Sequence, residues 1–235
     1  MISVCIATYN GEKYIKEQLE SILIQLSQND EIIISDDYSS DSTINIVNSF
    51  NDPRIKIVYN ENEHGYTSNF ENALIHSSGD YIFLSDQDDV WLPDKVSVCM
   101  HTMQVCDFVV SDALVVDSNL GQLHKSYFKI RKSRFSFWGN FISFGTLGCC
   151  MAFRRDVLSK ALKFPKNRVK CTHDQWLLTV ASCYYSVKYI KKPLILYRRH
   201  NSNSSSGGFK NTTTLLFKIS YRLYLLYHLI CRCNR

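Results

Sequence analysis

Residues 85–91, Ser-Asp-Gln-Asp-Asp-Val-Trp, place three carboxylates, Asp86, Asp88 and Asp89, within four positions. Carboxylates that close repel one another unless a cation or strong hydrogen-bond donors neutralise them. A hard divalent cation does this well, because it prefers oxygen ligands. The stretch therefore reads as a metal site or as a solvated acidic turn capping a helix that begins near Pro93. The apolar run before it, Tyr81-Ile82-Phe83-Leu84, has the pattern of a short buried strand, which puts the acids at a strand end. Two more polar clusters follow apolar runs in the same way: Thr8-Tyr9-Asn10-Gly11-Glu12 and Asp36-Asp37-Tyr38-Ser39. Much further on, Thr172-His173-Asp174-Gln175-Trp176 opens a helix, where Asp174 reads on its own as a partner of the helix dipole.

The elements that carry these clusters alternate. Strands are expected at 2–7, 32–34, 55–59 and 80–84. Between them, helical spacing predicts helices over about 12–27 (Ile15, Leu19, Ile22, Leu23, Leu26), 43–50 and 67–76. Such alternation implies βαβ units and a parallel sheet. Ligands bind such sheets outside the carboxyl ends of the strands, which is where residues 8–12, 36–39 and 85–89 fall. No Gly-x-Gly-x-x-Gly follows the first strand, which argues against a dinucleotide-binding domain.

The second half is less regular. A helix is expected from Pro93 to about 105 and a strand at 107–113. Residues 119–145 read as an aromatic, basic, loop-like stretch, most of whose rings serve a satellite core, the alternative being a wall that stacks on sugar rings or acyl chains. Residues 145–153 read as a strand with a close-approach glycine. A helix then runs from Thr172 to about 185, followed by short strands at 186–190 and 194–197 and a Ser/Gly/Asn loop at 201–208. Residues 212–231 form a Leu- and Tyr-rich helix interrupted by Lys218, Arg222 and His228. It suits either packing on the domain or an interfacial anchor; no run of 18 apolar residues exists to span a membrane.

The 235 residues are 45% hydrophobic and 21% charged, enough for a sizeable core and against wholesale disorder. Nine cysteines without a CxxC pair, and no secretory-type start, imply free thiols in a reducing compartment. The net charge of +5 is unevenly placed: residues 175–235 hold ten Lys/Arg and no acid, while residues 1–174 hold 17 Lys/Arg against 22 Asp/Glu. A basic tail with interleaved Leu and Tyr suits a membrane surface better than nucleic acid.

Five stretches in order, Val4-Cys5-Ile6-Ala7-Thr8-Tyr9-Asn10, Ser35-Asp36-Asp37-Tyr38-Ser39, Ser85 to Trp91, His173-Asp174 and Tyr197-Arg198-Arg199-His200-Asn201, resemble the family 2 glycosyltransferases of the GT-A fold. The DQDDVW, HDQW and YRRH forms are similar to bacterial O-antigen and capsule enzymes that transfer hexose or rhamnose. The resemblance implies an α/β, mostly parallel Rossmann-like sheet flanked by helices over 1–208, with a nucleotide-sugar half (1–91) and an acceptor half (92–208). Residues 209–235 follow as a basic amphipathic C-terminal helix.

By the same resemblance Thr8, Tyr9, Glu12 and Asp37 line the nucleotide pocket. Asp86 and Asp88 match the DxD motif that holds Mn²⁺ or Mg²⁺ on the donor diphosphate, with His200 a metal ligand or a structural histidine. Arg198 and Arg199 fit the diphosphate. Asp174 occupies the position of the catalytic base, with His173 where the family usually carries Glu. Asp89, Trp91, Gly148 and His173 are expected to touch acceptor or sugar; Asp89 is alternatively a metal ligand or a helix cap. The implied activity is inverting, metal-dependent transfer from a UDP-hexose, or from dTDP-rhamnose, to a polyprenyl-diphosphate-linked saccharide. The enzyme would lie on the inner face of the bacterial cell membrane, cytoplasmic and peripheral, without nucleic acid as partner. A nucleotidyltransferase would need a Gly-rich basic loop after the first strand, and this loop is acidic. A non-catalytic scaffold would be expected to lose Asp88 or Asp174, and both are present.

Overall fold

A computed structural model describes residues 1–200, 203 and 214–233. Apart from Asn203, the loop expected at 201–208 and the boundary at 208/209 lie outside the described residues. In the first half, Ile2–Thr8 (β1), Glu31–Asp36 (β2), Ile55–Tyr59 (β3) and Tyr81–Asp86 (β4) alternate with helices Ile15–Leu23 (α1), Thr43–Ser49 (α2) and Tyr66–His76 (α3). These strands are parallel in the order β3-β2-β1-β4. The chain winds outward from β1 to β3, then returns to the other side of β1. The switch point, where loops diverge and leave a crevice, therefore lies between β1 and β4. Val4, Cys5, Ile6, Ile32, Ile33, Ile34, Ile82, Phe83 and Leu84 are fully buried, so both faces of these strands are covered, as the unbroken apolar runs require.

The second half adds Val90–Trp91 (β5), Lys95–Thr102 (α4), Phe108–Val116 (β6), Gln122–His124 (β7), Tyr127–Arg131 (α5), Phe137–Ile142 (α6), Met151–Arg154 (β8), Arg155–Ala161 (α7), His173–Tyr184 (α8), Val187–Arg198 (β9) and Leu215–Cys233 (α9). Antiparallel β8 inserts between β4 and β6, and β9 runs parallel to β6, so the nine-stranded sheet is mixed beyond its parallel half.

Several elements differ from the sequence expectation. The aromatic stretch 119–145 contains two short helices, each started by a serine that accepts an N–H of its own first turn, Ser126 from Lys129 and Ser136 from Gly139. The strand expected from 145 begins only at Met151, after a 3-10 turn over Gly148–Cys150. The two strands expected at 186–190 and 194–197 are one: Pro193 lacks an N–H, and the ladder to β6 shifts register where Pro193 meets Asp112.

Helix α9 packs on the domain through buried Leu225 and Leu229. Arg222 caps the end of α6 by donating to the carbonyl of Phe141 at 3.1 Å, and Tyr184 Oη donates to the carbonyl of Leu229 at 3.0 Å. Its opposite face leaves Leu216, Leu223 and Tyr227 exposed. Among the described residues no helix is long and apolar enough to cross a membrane.

One ion cluster around buried Glu31, with Lys56 at the surface, ties the amino-end edge of the parallel strands. Glu31 accepts from Ser3 Oγ (2.6 Å), Ser78 N (2.7 Å) and Ser78 Oγ (2.8 Å), and Lys56 Nζ lies 2.7 Å away. Burial alone would raise its pKa; Lys56 and the serines outweigh it and hold Glu31 down at about 2, from 4.5. The stabilisation is therefore complete above the unfolded value and is lost as pH falls from about 4.5 toward 2, and solvent around the exposed Lys56 screens part of it. Glu31→Gln is expected to lower stability at pH 7 and to flatten its acid dependence between those limits. Parallel stability–pH curves for variant and parent in denaturant titrations would remove this role.

Candidate active site

The three polar loops do converge. A cleft of about 820 Å³ opens at the carboxyl ends of β1, β2 and β4, and Thr8, Tyr9, Asp37, Asp86, Asp88, Gly148, His173 and Asp174 all line it. This volume is in the range of sites for ligands of nucleotide size. Gln87 locks two of the loops together: its Oε1 accepts from Tyr9 N at 2.9 Å and its Nε2 donates to Tyr9 O at 3.1 Å. Gly11 leaves room for that clamp, since a Cβ there would stand 2.4 Å from Gln87 Oε1 and displace the amide.

At the β2 side, Asp37 is 6% exposed and accepts from Asn60 Nδ2 (2.8 Å) and Gly65 N (2.8 Å), with His64 Nδ1 at 3.1 Å. Thr8 reaches the cleft through its backbone; its hydroxyl donates to Asp36 Oδ1 at 3.0 Å, and its carbonyl accepts from Asn69 Nδ2 at 3.0 Å. Glu12 does not line the cleft. Its carboxylate accepts from Ser42 N at 2.9 Å, at the start of α2, where the helix dipole favours an anion.

The acidic loop separates into three roles. Asp86 faces the cleft, and burial, reinforced by the charge of Asp88, pushes its carboxyl up to about 7. Asp88 Oδ2 lies 2.7 Å from His200 Nε2 and accepts from Asn203 Nδ2 at 2.9 Å. Asp89 lies underneath, 1% exposed: Oδ1 accepts from Arg198 N at 2.9 Å and Oδ2 has no partner among the described residues. Burial, then the charges of Asp88 and Asp86, hold Asp89 well above the carboxylate range.

The clustered acids fit a divalent cation. Asp86 and Asp88 present hard oxygen donors to the cleft, and the upward shift of Asp86 comes first from burial and then from the nearby charge of Asp88, both of which a bound cation would offset. Asp86, Asp89 and Cys149 also bring ligand atoms within 4.8 Å of one another, but burial raises the Cys149 thiol and keeps it protonated, which disfavours that set for a hard ion.

Several expected contacts are corrected. Arg198 is 3% exposed and committed inside: Nε donates to Asp88 O (2.7 Å), one terminal nitrogen to Ser118 O (2.8 Å) and the other to Glu17, while the guanidinium lies over Tyr14 at 4.5 Å. It shapes the acidic loop and does not face a diphosphate. Arg199 donates to Tyr197 Oη at 3.1 Å and is absent from the cleft wall; Arg131 on α5 provides a guanidinium there. Trp91 is 3% exposed, pairs with Ile195 and packs against Phe83 and Lys95, so it is a core residue and touches no sugar. Asp89 is likewise buried behind the wall.

Across the cleft, Asp174 at the start of α8 accepts from Thr172 Oγ1 at 2.6 Å and Gln175 N at 2.8 Å, both on Oδ1. Sequence reasoning missed Tyr66, Phe70 and Tyr197, which complete the wall together with Tyr127, a ring of the aromatic stretch for which a stacking wall was the alternative to core. Gly65-Tyr66 follows β3 at the same sheet edge as the recognised loops, which was a usable signal. Tyr127 and Arg131 were hidden in the stretch taken for loop.

Comparison with known proteins gives a consistent result. The sequence profile of the family described as glycosyl transferase family 2 matches residues 3–162. The dTDP-rhamnosyl transferase RfbG of Shigella flexneri is 33% identical over 233 residues, covering 92% of this chain and 76% of that protein. The UDP-Glc:α-D-GlcNAc-diphosphoundecaprenol β-1,3-glucosyltransferase WfaP of Escherichia coli is 38% identical over 104 residues, 44% of this chain and 41% of that protein.

Among solved structures, Staphylococcus aureus TarS 1–349 in complex with UDP-GlcNAc superposes with a TM-score of 0.73 at 20% identity, covering 98% of this chain and 66% of that one. The chain thus spans slightly under two thirds of that TarS chain. Mannosyltransferase PcManGT of Pyrobaculum calidifontis, in complex with GDP-Man and Mn²⁺, superposes with a TM-score of 0.60 at 16% identity, covering 98% and 73%. At such identities the structures speak to the fold, which is of the expected GT-A type.

The placement of Arg198 carries its own test. Arg198→Ala is expected to cost about 2–4 kcal/mol of unfolding free energy, because it strands two part-buried carbonyls, breaks the ion pair with Glu17 and removes the packing on Tyr14. Arg198→Lys should recover only part, since an ammonium cannot span all three acceptors. Equal stability of Arg198→Ala and the parent in chemical denaturation would contradict this role.

Proposed function

The chain belongs to glycosyl transferase family 2, and from that membership we propose that it transfers a sugar, with inversion, from a pyrimidine nucleoside diphosphate to a lipid-linked saccharide during bacterial surface-polysaccharide synthesis. The observation that carries this reading is the meeting of Asp86 and Asp88, at the end of β4, with Asp174, at the start of α8, across one nucleotide-sized cleft. Asp37 and its Asn60–His64–Gly65 surround offer the base pocket, and Arg131 a cation for the diphosphate. The resemblance to RfbG along nearly the whole chain favours dTDP-rhamnose as donor over the UDP-hexose first expected; the likeness to WfaP, over less than half the chain, supports UDP-glucose. The lipid-diphosphate acceptor rests on the name of that second relative.

Asp174 is the base of this reading. Thr172 and Gln175 hold its Oδ1, which leaves Oδ2 to take the proton of the acceptor hydroxyl as that oxygen attacks the anomeric carbon. The bond to the nucleoside diphosphate breaks on the opposite face. Mg²⁺ or Mn²⁺ held by Asp86 and Asp88 would supply charge neutralisation for the departing diphosphate. His200 and Asn203 orient Asp88 for that task.

A screen of UDP-glucose, UDP-galactose and dTDP-rhamnose against a GlcNAc-diphosphate-lipid analogue, with Mn²⁺ and with chelator, tests the proposal. Turnover of one donor, abolished by chelator, is expected; no turnover with any donor would argue against it. Asp174→Asn should lower kcat by roughly 10²–10⁴-fold while donor affinity stays unchanged by calorimetry. If rate survives that change, the base is elsewhere.

The exposed apolar face of α9, with Lys218 beside it, fits adsorption at an anionic membrane surface. Leu216→Glu combined with Leu223→Glu is expected to reduce sedimentation with phosphatidylglycerol-containing vesicles several-fold without changing thermal stability. Unaltered vesicle binding would exclude this face.

A further inference from the structure

Asp174 shares the cleft with Asp86 and Asp88, and much of what fixes its place lies behind the cleft wall. The body of α8 is anchored by buried Trp176, whose Nε1 donates to the carbonyl of Ala161 at 2.8 Å. The carboxylate itself is aimed by Thr172, whose Oγ1 donates to Asp174 Oδ1 at 2.6 Å. Thr172 ends the segment 162–172 that joins α7 to α8, and this segment contains neither helix nor strand. Three holds give it a shape. Within it, the carbonyl of Asn167 accepts from Cys171 N at 3.0 Å, and the Asn167 side chain accepts from Lys170 N at 3.1 Å. From α9, Tyr224 Oη accepts from Asn167 N at 3.0 Å, at the surface. From α3, Glu71 reaches in with both oxygens and is only 8% exposed. Its Oε1 accepts from Phe164 N at 2.7 Å, and its Oε2 pairs with Arg168, whose other terminal nitrogen donates to the carbonyl of Pro165 at 3.1 Å.

Of the three, the hold on Glu71 is the strongest. Hydrogen bonds to an ionised group are about twice as strong as neutral ones, and this carboxylate is withdrawn from the water that competes for the Tyr224 bond. Helix α3 also presents Tyr66, Asn69 and Phe70 to the cleft, whereas Glu71 is not part of the cleft wall. One carboxylate thus ties a wall of the cleft to the segment that ends on Asp174. We propose that Glu71, through Arg168 and the backbone of residues 164–172, is a positioning residue for the transfer step, fixing where Asp174 stands relative to the α3 wall. The inference rests on the reading of Asp174 as base. Glu71 touches no substrate, so its loss leaves donor binding intact and falls on the chemical step, where a displacement of about 1 Å costs roughly 10²-fold.

Glu71→Gln has nearly the same size and still offers an amide oxygen to Phe164 N, but it no longer meets the charge of Arg168. With the donor that the parent enzyme turns over, kcat is expected to fall roughly 10-fold, while donor affinity by calorimetry stays within about 2-fold. Arg168→Gln cuts the same link from its other end and should lower kcat to a similar extent. The double variant should be no slower than the slower single one, because two cuts in one link do not add. Amide hydrogen exchange over residues 163–175 is expected to speed up in each variant, measured without substrate.

Arg168 is less buried than Glu71, so Arg168→Gln decides should Glu71→Gln not fold. A folded variant with kcat within about 3-fold of the parent, or a donor affinity that drops together with kcat, would overturn the proposal. Losses that multiply in the double variant would do the same, as would a lowered melting temperature with the rate intact, which is the mark of a structural pair. Asp174→Asn separates this from the base reading. If that substitution stops transfer and the Glu71 and Arg168 variants do not, the positioning role fails alone. If Asp174→Asn keeps its rate, or the parent turns over none of the donors, both fail.

Discussion

The acidic loop after β4 exists in its observed shape because of one buried guanidinium. Arg198 links α1 through Glu17, the turn after β6 through Ser118, and the loop itself through the carbonyl of Asp88, while its own backbone N–H holds Asp89. It arrives on β9, the last strand of the sheet by sequence, so residues more than a hundred positions apart meet at one point. Without that tie, Asp86, Asp88 and Asp89 would repel and the loop would open. Arg suits the position because its planar fork serves several acceptors at once and its charge survives burial.

The tie does not neutralise everything it gathers. Asp86 is pushed up to about 7, and Asp89 is also held well above the carboxylate range. Asp89 Oδ2, Trp91 Nε1 and both nitrogens of His173 are buried without partners among the described residues. Two different physical situations are mixed in that group. Trp91 is sealed in the core, and the structure gives no reason for its bare N–H. His173 borders the cleft, where unsatisfied polarity is a feature of a site shaped for a ligand. The same surplus of negative charge that destabilises the bare loop makes it a strong receptor for a cation.

Much of this was legible beforehand. The parallel half of the sheet follows from apolar runs alternating with helical periodicity, and the cleft from three polar clusters ending three of those strands. What the sequence did not reveal depends on distant packing. Arg198 and Trp91 sit in motifs that look chemical, yet they are buried by neighbours as remote as Glu17 and Phe83. Glu12 faces away because the start of α2 lies closer than the cleft. Residues 119–145 read as loop because rings outnumber helix formers; only the serine caps marked the two short helices there. Pro193 hid the continuity of β9 by removing one rung of the ladder rather than ending the strand.

The clamp between Gln87 and the backbone of Tyr9 has a consequence for how the cleft tolerates change. Gln87 fills the space above Gly11 so closely that neither residue is independent of the other. A larger residue at 11 forces the amide out, and a shorter one at 87 frees the first loop from the fourth strand. The two positions should therefore drift together among variants of this fold, as a non-additive pair joining loops 78 residues apart in the chain. A ligand entering between them finds a rim that is already rigid, and its binding energy is not diverted into ordering the walls.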